Sequence, residues 1–267
     1  MNKIETALYE LSEMDELAMR DSPVHSLSPV SKLIATAAYI VTVVSFDKYD
    51  LPGIMMMVVW PLILYQLSDT SVALCFHKLR IVLPLVLAVG IFNPIFDRAP
   101  ALMIGNMTVT SGTISMISLM LKGTECLMAS FLLMATTSID SLCAALRKLR
   151  FPQMPVTLLL LTYRYVGVLT EEASVMTDAY HLRAPGQKGV HFSAWGSFLG
   201  QLLLRSMDRA QDLYASMQLR GYSGSFHYAL MPPFTGRDIV YLAVSLPAFL
   251  LMRTGNIAEM IGKMVLR

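Results

Sequence analysis

Charge is scarce in this chain. Of its 267 residues only 15% are Asp, Glu, Lys or Arg, where a soluble domain carries about a quarter. The formal net charge of +2 is too small to call for nucleic acid as a partner. Cysteine is nearly missing: Cys75, Cys126 and Cys143 follow no metal-like or redox-like spacing and lie in or beside apolar segments, so they read as free buried thiols. The five histidines, His25, His77, His181, His191 and His227, are scattered, with no partner at ligand spacing. No metal site and no cofactor are therefore expected in this chain. A Gly-x-x-x-x-Gly-Lys loop is absent, so nucleotide hydrolysis is expected of a partner. Glu171-Glu172 opens a Glu-Glu-x-x-x-Arg protease pattern, but its sixth place holds Met176 and the match fails. The first 31 residues have no apolar run and include Glu5, Glu10, Glu13, Asp15, Glu16 and Asp21, which leaves the first membrane helix to serve as the insertion signal.

What the chain does have is apolar length. Hydrophobic residues make up 55% and the mean hydropathy is +0.55. Crossing a bilayer takes roughly 17–25 mostly apolar residues in a helix. Stretches at about 33–46, 51–67, 79–97, 113–136 and 239–257 qualify or come close. The first is short and bracketed by Lys32 and Asp47, so snorkelling or local thinning is expected to help it. The third ends in Gly90-Ile-Phe-Asn-Pro94, which should bend or break a helix. Lys122 and Glu125, three apart inside the fourth, can neutralise each other and suggest a structural or subunit-contact role. The 20 methionines read as gap-fillers of apolar cores.

The expected fold class is an all-α integral membrane protein: a bundle of about five transmembrane helices, or six if 156–170 crosses, with two amphipathic cytoplasmic helices. Its expected divisions are an amino-terminal bundle at 1–155, a polar cytoplasmic region at 156–238, and a last span and tail at 239–267. With the amino terminus in the cytoplasm, Lys3, Arg20, Lys32, Lys78, Arg80, Arg147, Lys148 and Arg150 fall inside. The first two outer loops keep only Lys48 and Arg98, as the excess of inner cations requires. Arg253, Lys263 and Arg267 then fall outside if there are five spans, and inside if there are six.

The polar region carries two helical stripes. Leu203, Met207, Ala210, Tyr214, Met217 and Gly221 recur at three- and four-residue steps on one face of 202–221. Tyr165, Val168, Leu169, Met176, Ala179 and Leu182 do the same over 162–183. Both segments finish in Leu-Arg-small: Leu182-Arg183-Ala184, then Pro185-Gly186, and Leu219-Arg220-Gly221. An arginine there can simply complement the negative helix end. Two matching tips in one insert point instead to docking on an acidic groove of a soluble partner.

The segment Arg209-Ala-Gln-Asp-Leu-Tyr-Ala-Ser-Met-Gln-Leu-Arg-Gly-Tyr-Ser-Gly224 closely resembles the second coupling helix of the T component of energy-coupling factor transporters, cobalt/nickel branch. Asp21-Ser-Pro-Val-His-Ser-Leu-Ser-Pro-Val-Ser-Lys32 resembles that family's entry into its first span, and Phe92-Asn-Pro-Ile-Phe-Asp-Arg98 is similar to its cobalt branch. The resemblance implies a multi-pass scaffold in the plasma membrane of a prokaryote. Such a scaffold joins a substrate-binding membrane subunit to two ATP-binding cassette ATPase subunits, with Arg183 and Arg220 docking the ATPases. The family's Ala-Arg-Gly signature has leucine in its first place at both sites here, and alanine for glycine at Ala184. Because Ala184 lacks the left-handed freedom of glycine, Arg220 is the stronger candidate. A self-sufficient secondary transporter would show an internal repeat with paired broken helices, and a membrane enzyme a convergent set of acid, base or metal ligands. The sequence shows neither.

Overall fold

A computed structural model describes residues 15–96, 100–104, 107–187, 189–224 and 234–254. Readings that rest on Lys3, Glu5, Glu10, Glu13, Arg98, His227, Lys263 and Arg267, or on the side chains of His77 and Lys78, lie outside the described residues. Helices dominate: α1 Pro29–Ser45, α2 Leu51–Met57, α3 Val59–Leu67, α4 Val72–Phe96, α5 Ser111–Thr136, α6 Ile139–Lys148, α7 Gln153–Arg183, α8 Trp195–Leu219 and α9 Gly236–Thr254. The exception to the all-α expectation is a small antiparallel hairpin between α4 and α5, with strand Pro100–Ile104 paired to strand Met107–Thr110. Two compact units result. One comprises Leu17–Ser138 with Met231–Arg267, the other Met1–Glu16 with Ile139–Leu230.

The first unit is built on α1, α5 and α9. One carboxylate joins the starts of two helices there. Asp238, only 2% exposed, accepts the backbone N–H of Ser28 (2.7 Å) and the Ser31 hydroxyl (2.8 Å) from α1. Its other oxygen takes the N–H of Thr235 (2.8 Å), half of a Thr-x-x-Asp capping box on α9. Helices whose starts share an anchor run parallel. Their far ends agree, since Arg253 of α9 donates to Ser45 O of α1 at 2.9 Å.

The carboxyl end of α5 meets the start of α1. Lys32 donates to Thr136 O at 2.6 Å, and the His25 ring lies 3.2 Å from Ala135 O. Both satisfy carbonyls that a helix end leaves without partners. Lys32, 4% exposed, therefore does not snorkel as the sequence suggested; it is buried as a cap on α5.

Pro61 explains why 51–67 is two helices and not one. Proline has no N–H for the carbonyl four residues back, which is that of Met57. That carbonyl takes the Tyr39 hydroxyl at 2.9 Å instead, and the chain breaks between Met57 and Val59. The Tyr39 ring stacks on Trp60 with 4.5 Å between centroids and meets Phe249 edge-on at 5.5 Å. This aromatic group forms the centre of a core with Val43, Ile54 and Ala129.

Of the bend or break expected at Gly90–Pro94, the break does not occur. Helix α4 runs through Pro84 and Pro94 to Phe96. Gly123 and Gly90 let it approach α5: an added Cβ at Gly123 would stand 3.1 Å from Val86, and one at Gly90 would stand 3.2 Å from Met116. Small residues commonly serve close helix pairs in this way. Lys122 and Glu125 do not pair with each other either. Lys122 turns to Phe46 O (2.6 Å) and Val44 O (3.3 Å) at the end of α1. Glu125, 1% exposed, receives the Tyr39 hydroxyl at 3.4 Å on one oxygen, and its other oxygen has no partner among the described residues.

Among the described residues one helix, α5, is long and apolar enough to cross a membrane by itself. Shorter apolar helices lie at Pro29–Ser45, Leu51–Leu67 and Val82–Pro94.

Candidate functional site

In the second unit α6, α7 and α8 carry the two arginine tips. Helix α6 closes with Arg150 at φ 64°, with Arg150 N bonded to Arg147 O (3.0 Å) and Phe151 N to Leu146 O (3.1 Å), the pattern of a Schellman stop. Its Cys143 is buried; burial, then the Asp140 carboxylate, raise that thiol above its ordinary value, which makes it a poor nucleophile. Cys75 is buried as well, whereas Cys126 is only partly so.

Helix α7 is a single unit of 31 residues. The apolar stretch 156–170 is thus continuous with the polar one that follows, as the sequence suggested. Its first turns pack Val156 and Leu160 on Cys143, and Arg164 pairs with Asp140 at 3.0 Å. Tyr163 donates to the Asp15 carboxylate at 2.9 Å.

Helix α7 ends on Arg183. Ala184 follows with φ −127°, so it needs no left-handed backbone. The turn comes two residues later: Gln187 N reaches Ala184 O (3.4 Å) with Gly186 at φ +92°, and Pro185 in the second place gives the signature of a type II turn. Tyr180 pins this loop, its hydroxyl donating to Gln187 Oε1 at 2.9 Å.

Helix α8 starts at Trp195, seven residues before the stripe suggested, after a 3-10 turn at Phe192–Ala194. Its stop is a full Schellman motif. Gly221 has φ +82°, Tyr222 N bonds Met217 O at 2.9 Å and Gly221 N bonds Gln218 O at 2.9 Å. Arg220 sits on the cap. Leu182 is 84% exposed and Leu219 91%. Arg183 and Arg220 are exposed, and no side-chain hydrogen bond or ion pair is made by either among the described residues. Ala184 is half-buried and Gly221 open.

Helices α7 and α8 face each other across a cleft of about 590 Å³. From α7 come Tyr165, Val168, Leu169 and Glu172. From α8 come Arg205, Asp208, Arg209 and Asp212, with Leu213 and Ser216, and the Glu172–Arg205 ion pair joins the two helices. The apolar stripe of α7 therefore meets the charged face of α8. The predicted stripe of α8 is elsewhere: Leu203, Met207, Ala210 and Tyr214 are exposed, Met217 is half-buried, and no residue of α8 is buried. Sequence reading missed the pairing of Glu172 with Arg205, because other acids and bases on both helices, Glu171, Asp178, Asp208, Arg209 and Asp212, were equally available by spacing.

Apolar helices in one unit, with exposed, arginine-tipped amphipathic helices in the other, are the build of a membrane protein. The chain belongs to the cobalt transport protein family CbiQ, which matches over residues 20–228. The energy-coupling factor transporter transmembrane protein EcfT of Lactococcus lactis is 25% identical over 219 residues, 76% of this chain and 82% of that protein. The cobalt transport protein CbiQ of Rhodobacter capsulatus is 31% identical over 122 residues, 45% and 49% of the two chains. The nickel permease LarQ of Lactiplantibacillus plantarum is 30% identical over 93 residues, 35% and 33%. The chain spans about half the length of the first curated relatives it matches.

Proposed function

We propose that this chain is the membrane scaffold of an ATP-driven importer of cobalt or nickel ions, itself without catalytic activity. It couples two ATP-binding cassette ATPase subunits to a substrate-binding membrane subunit. The observation that carries this reading is the pair of helix tips. Each presents an exposed arginine with no side-chain partner among the described residues, next to an apolar side chain almost wholly in solvent and followed by a glycine-assisted stop. Such tips suit insertion into acidic grooves, one on each ATPase, where a desolvated arginine contact contributes about 2–4 kcal/mol. Closure of the ATPase pair on nucleotide would shift the tips, and the Glu172–Arg205 pair with the cleft walls would pass that shift between α7 and α8. The exposed stripe Leu203, Met207, Ala210, Tyr214 and Met217 is the face offered to the substrate-binding subunit.

The proposed topology has five crossings, the amino terminus and residues 139–235 in the cytoplasm, and the end of α9 outside. It is supported by α1 and α9 running parallel from a shared Asp238 anchor, while α5 runs opposite to them. On this topology the chain leaves α5 and enters α9 on one side, and 156–170 is read as part of a cytoplasmic helix and not as a sixth span.

An Arg220→Glu variant should lose ATPase subunits on affinity purification from detergent, by a hundredfold or so in affinity for about 3 kcal/mol, with Arg183→Glu behaving alike. Full co-purification of both ATPases with the double variant would overturn the docking assignment. Metal accumulation by the chain alone, without ATP, would favour a self-sufficient transporter.

A further inference from the structure

Lys122 is unusual for its depth. It lies roughly 16 Å along α5 from Ser111 and about 21 Å from Thr136, at 1.5 Å per residue. The buried Lys32 and Asp238, with the half-buried His25, mark one membrane boundary at the Thr136 end. With a hydrocarbon core of about 30 Å, the Lys122 backbone then stands roughly 9 Å inside the opposite boundary, and its ammonium reaches outward to the carboxyl end of α1. An ionisable group at that depth needs a partner. Val44 O and Phe46 O take two of its three donors and leave one. A second cation stands at the same helix end, where Arg253 donates to Ser45 O and lies 4.9 Å over the Phe46 ring. The carboxylates of the adjoining loop are turned elsewhere, Asp47 to the N–H of Lys48 and Asp50 to that of Gly53.

Beside Lys122 runs a groove of about 470 Å³ between Val44 of α1, Leu85, Val86 and Val89 of α4, and Leu119 of α5. Among the described residues Lys122 is the one charged residue in its wall, and Leu85 and Val89 are exposed. A helix about 10 Å across would place little more than one turn in that volume. A single alkyl chain is slim enough to lie along it.

We propose that this groove holds one anionic phospholipid, its acyl chain along Leu85 and Val89 and its phosphate on the Lys122 ammonium. The charge of the headgroup complements that of Lys122, and the apolar remainder of the described wall suits a lipid tail and no polar solute. A bound lipid there completes the hydrogen bonding of the Lys122 ammonium and fills the outer part of a bundle whose first helix, at 17 residues, is shorter than α5 and α9, at 26 and 19.

Native mass spectrometry of the full chain, delipidated in mild detergent and titrated with dioleoyl phosphatidylglycerol or dioleoyl phosphatidylcholine, tests this. One phosphatidylglycerol should be retained, with a preference of roughly five- to tenfold over phosphatidylcholine, the size of one lysine–headgroup attraction. Lys122→Gln should abolish the preference. Val89→Trp, a change at an exposed position that leaves Lys122 in place, should remove the retained lipid of either kind, and it decides the matter if the lysine variant fails to fold. Cys126, also in the wall, gives a second readout: phosphatidylglycerol should slow its reaction with a bilayer-soluble maleimide in the native chain and not in Val89→Trp. Equal retention of both lipids by the native chain, or undiminished phosphatidylglycerol in Val89→Trp, overturns the proposal. So does a cross-link from Val89→Cys to a partner's helix in the intact complex, which would assign the groove to protein.

Discussion

Asp238 holds the starts of α1 and α9 with one buried side chain, and its removal would take that acceptor from the Ser28 and Thr235 N–H groups, while the Ser31 hydroxyl keeps Ser28 O. Stripping the partner from buried, charge-assisted hydrogen bonds costs about 3–5 kcal/mol. Asp238→Ala is therefore expected to lower Tm by roughly 5–10 °C in detergent, while Asp238→Asn, which keeps one acceptor oxygen, should fall less. Equal losses for the two variants would mean that packing and not hydrogen bonding sets the effect. The same scale shows where sequence spacing misleads. Lys122 and Glu125 are correctly placed for a local pair, but the end of α1 offers Lys122 two carbonyls, and Tyr39 reaches Glu125. Nothing three residues apart in sequence reports what a third helix brings.

At the scale of elements, a proline and a tyrosine divide one function. Pro61 frees the Met57 carbonyl and Tyr39 satisfies it. Tyr39→Phe should cost about 1–3 kcal/mol by leaving that carbonyl buried without a donor. In a Pro61→Ala background the backbone N–H at position 61 can take over, and the same change should cost clearly less. A double-mutant cycle on unfolding free energies measures the difference, and additive values would refute the link. Gly221 makes a comparable element-level prediction. With φ +82° it tolerates a side chain poorly, so Gly221→Ala should cost about 1 kcal/mol at the end of α8. If Arg220 docks an ATPase, affinity should drop roughly fivefold, with Gly221→Asn nearer the native value in a pull-down titration. Helix α8 also shows which part of a stripe is legible: its period is readable, whereas the face that meets α7 is chosen by Arg205 finding Glu172.

For the whole molecule, the arrangement of α1, α5 and α9 bears on sidedness. Single cysteines replacing Ser223 and Thr254, in a background without Cys126, should react oppositely with a membrane-impermeant maleimide on intact cells. Thr254→Cys should be labelled, and Ser223→Cys only after permeabilisation. Labelling of Ser223→Cys on intact cells would place the arginine tips out of reach of any cytoplasmic ATPase. Arg253 looked out of place for an outer position by charge counting alone, but it is engaged with Ser45 O and the Phe46 ring. Composition and period by themselves determined that the chain is a helical membrane protein, where its apolar helices lie, and that two polar helices end in arginine. Those features depend on solvent and on neighbours within a few residues, so they are written locally. Only the tertiary structure decided the break at Val58, the parallel course of α1 and α9, the partners of Lys32, Lys122 and Asp238, and the face α8 turns to α7. Each of these depends on which unsatisfied backbone or charged group a distant segment brings within hydrogen-bonding distance, and residue spacing carries no record of that.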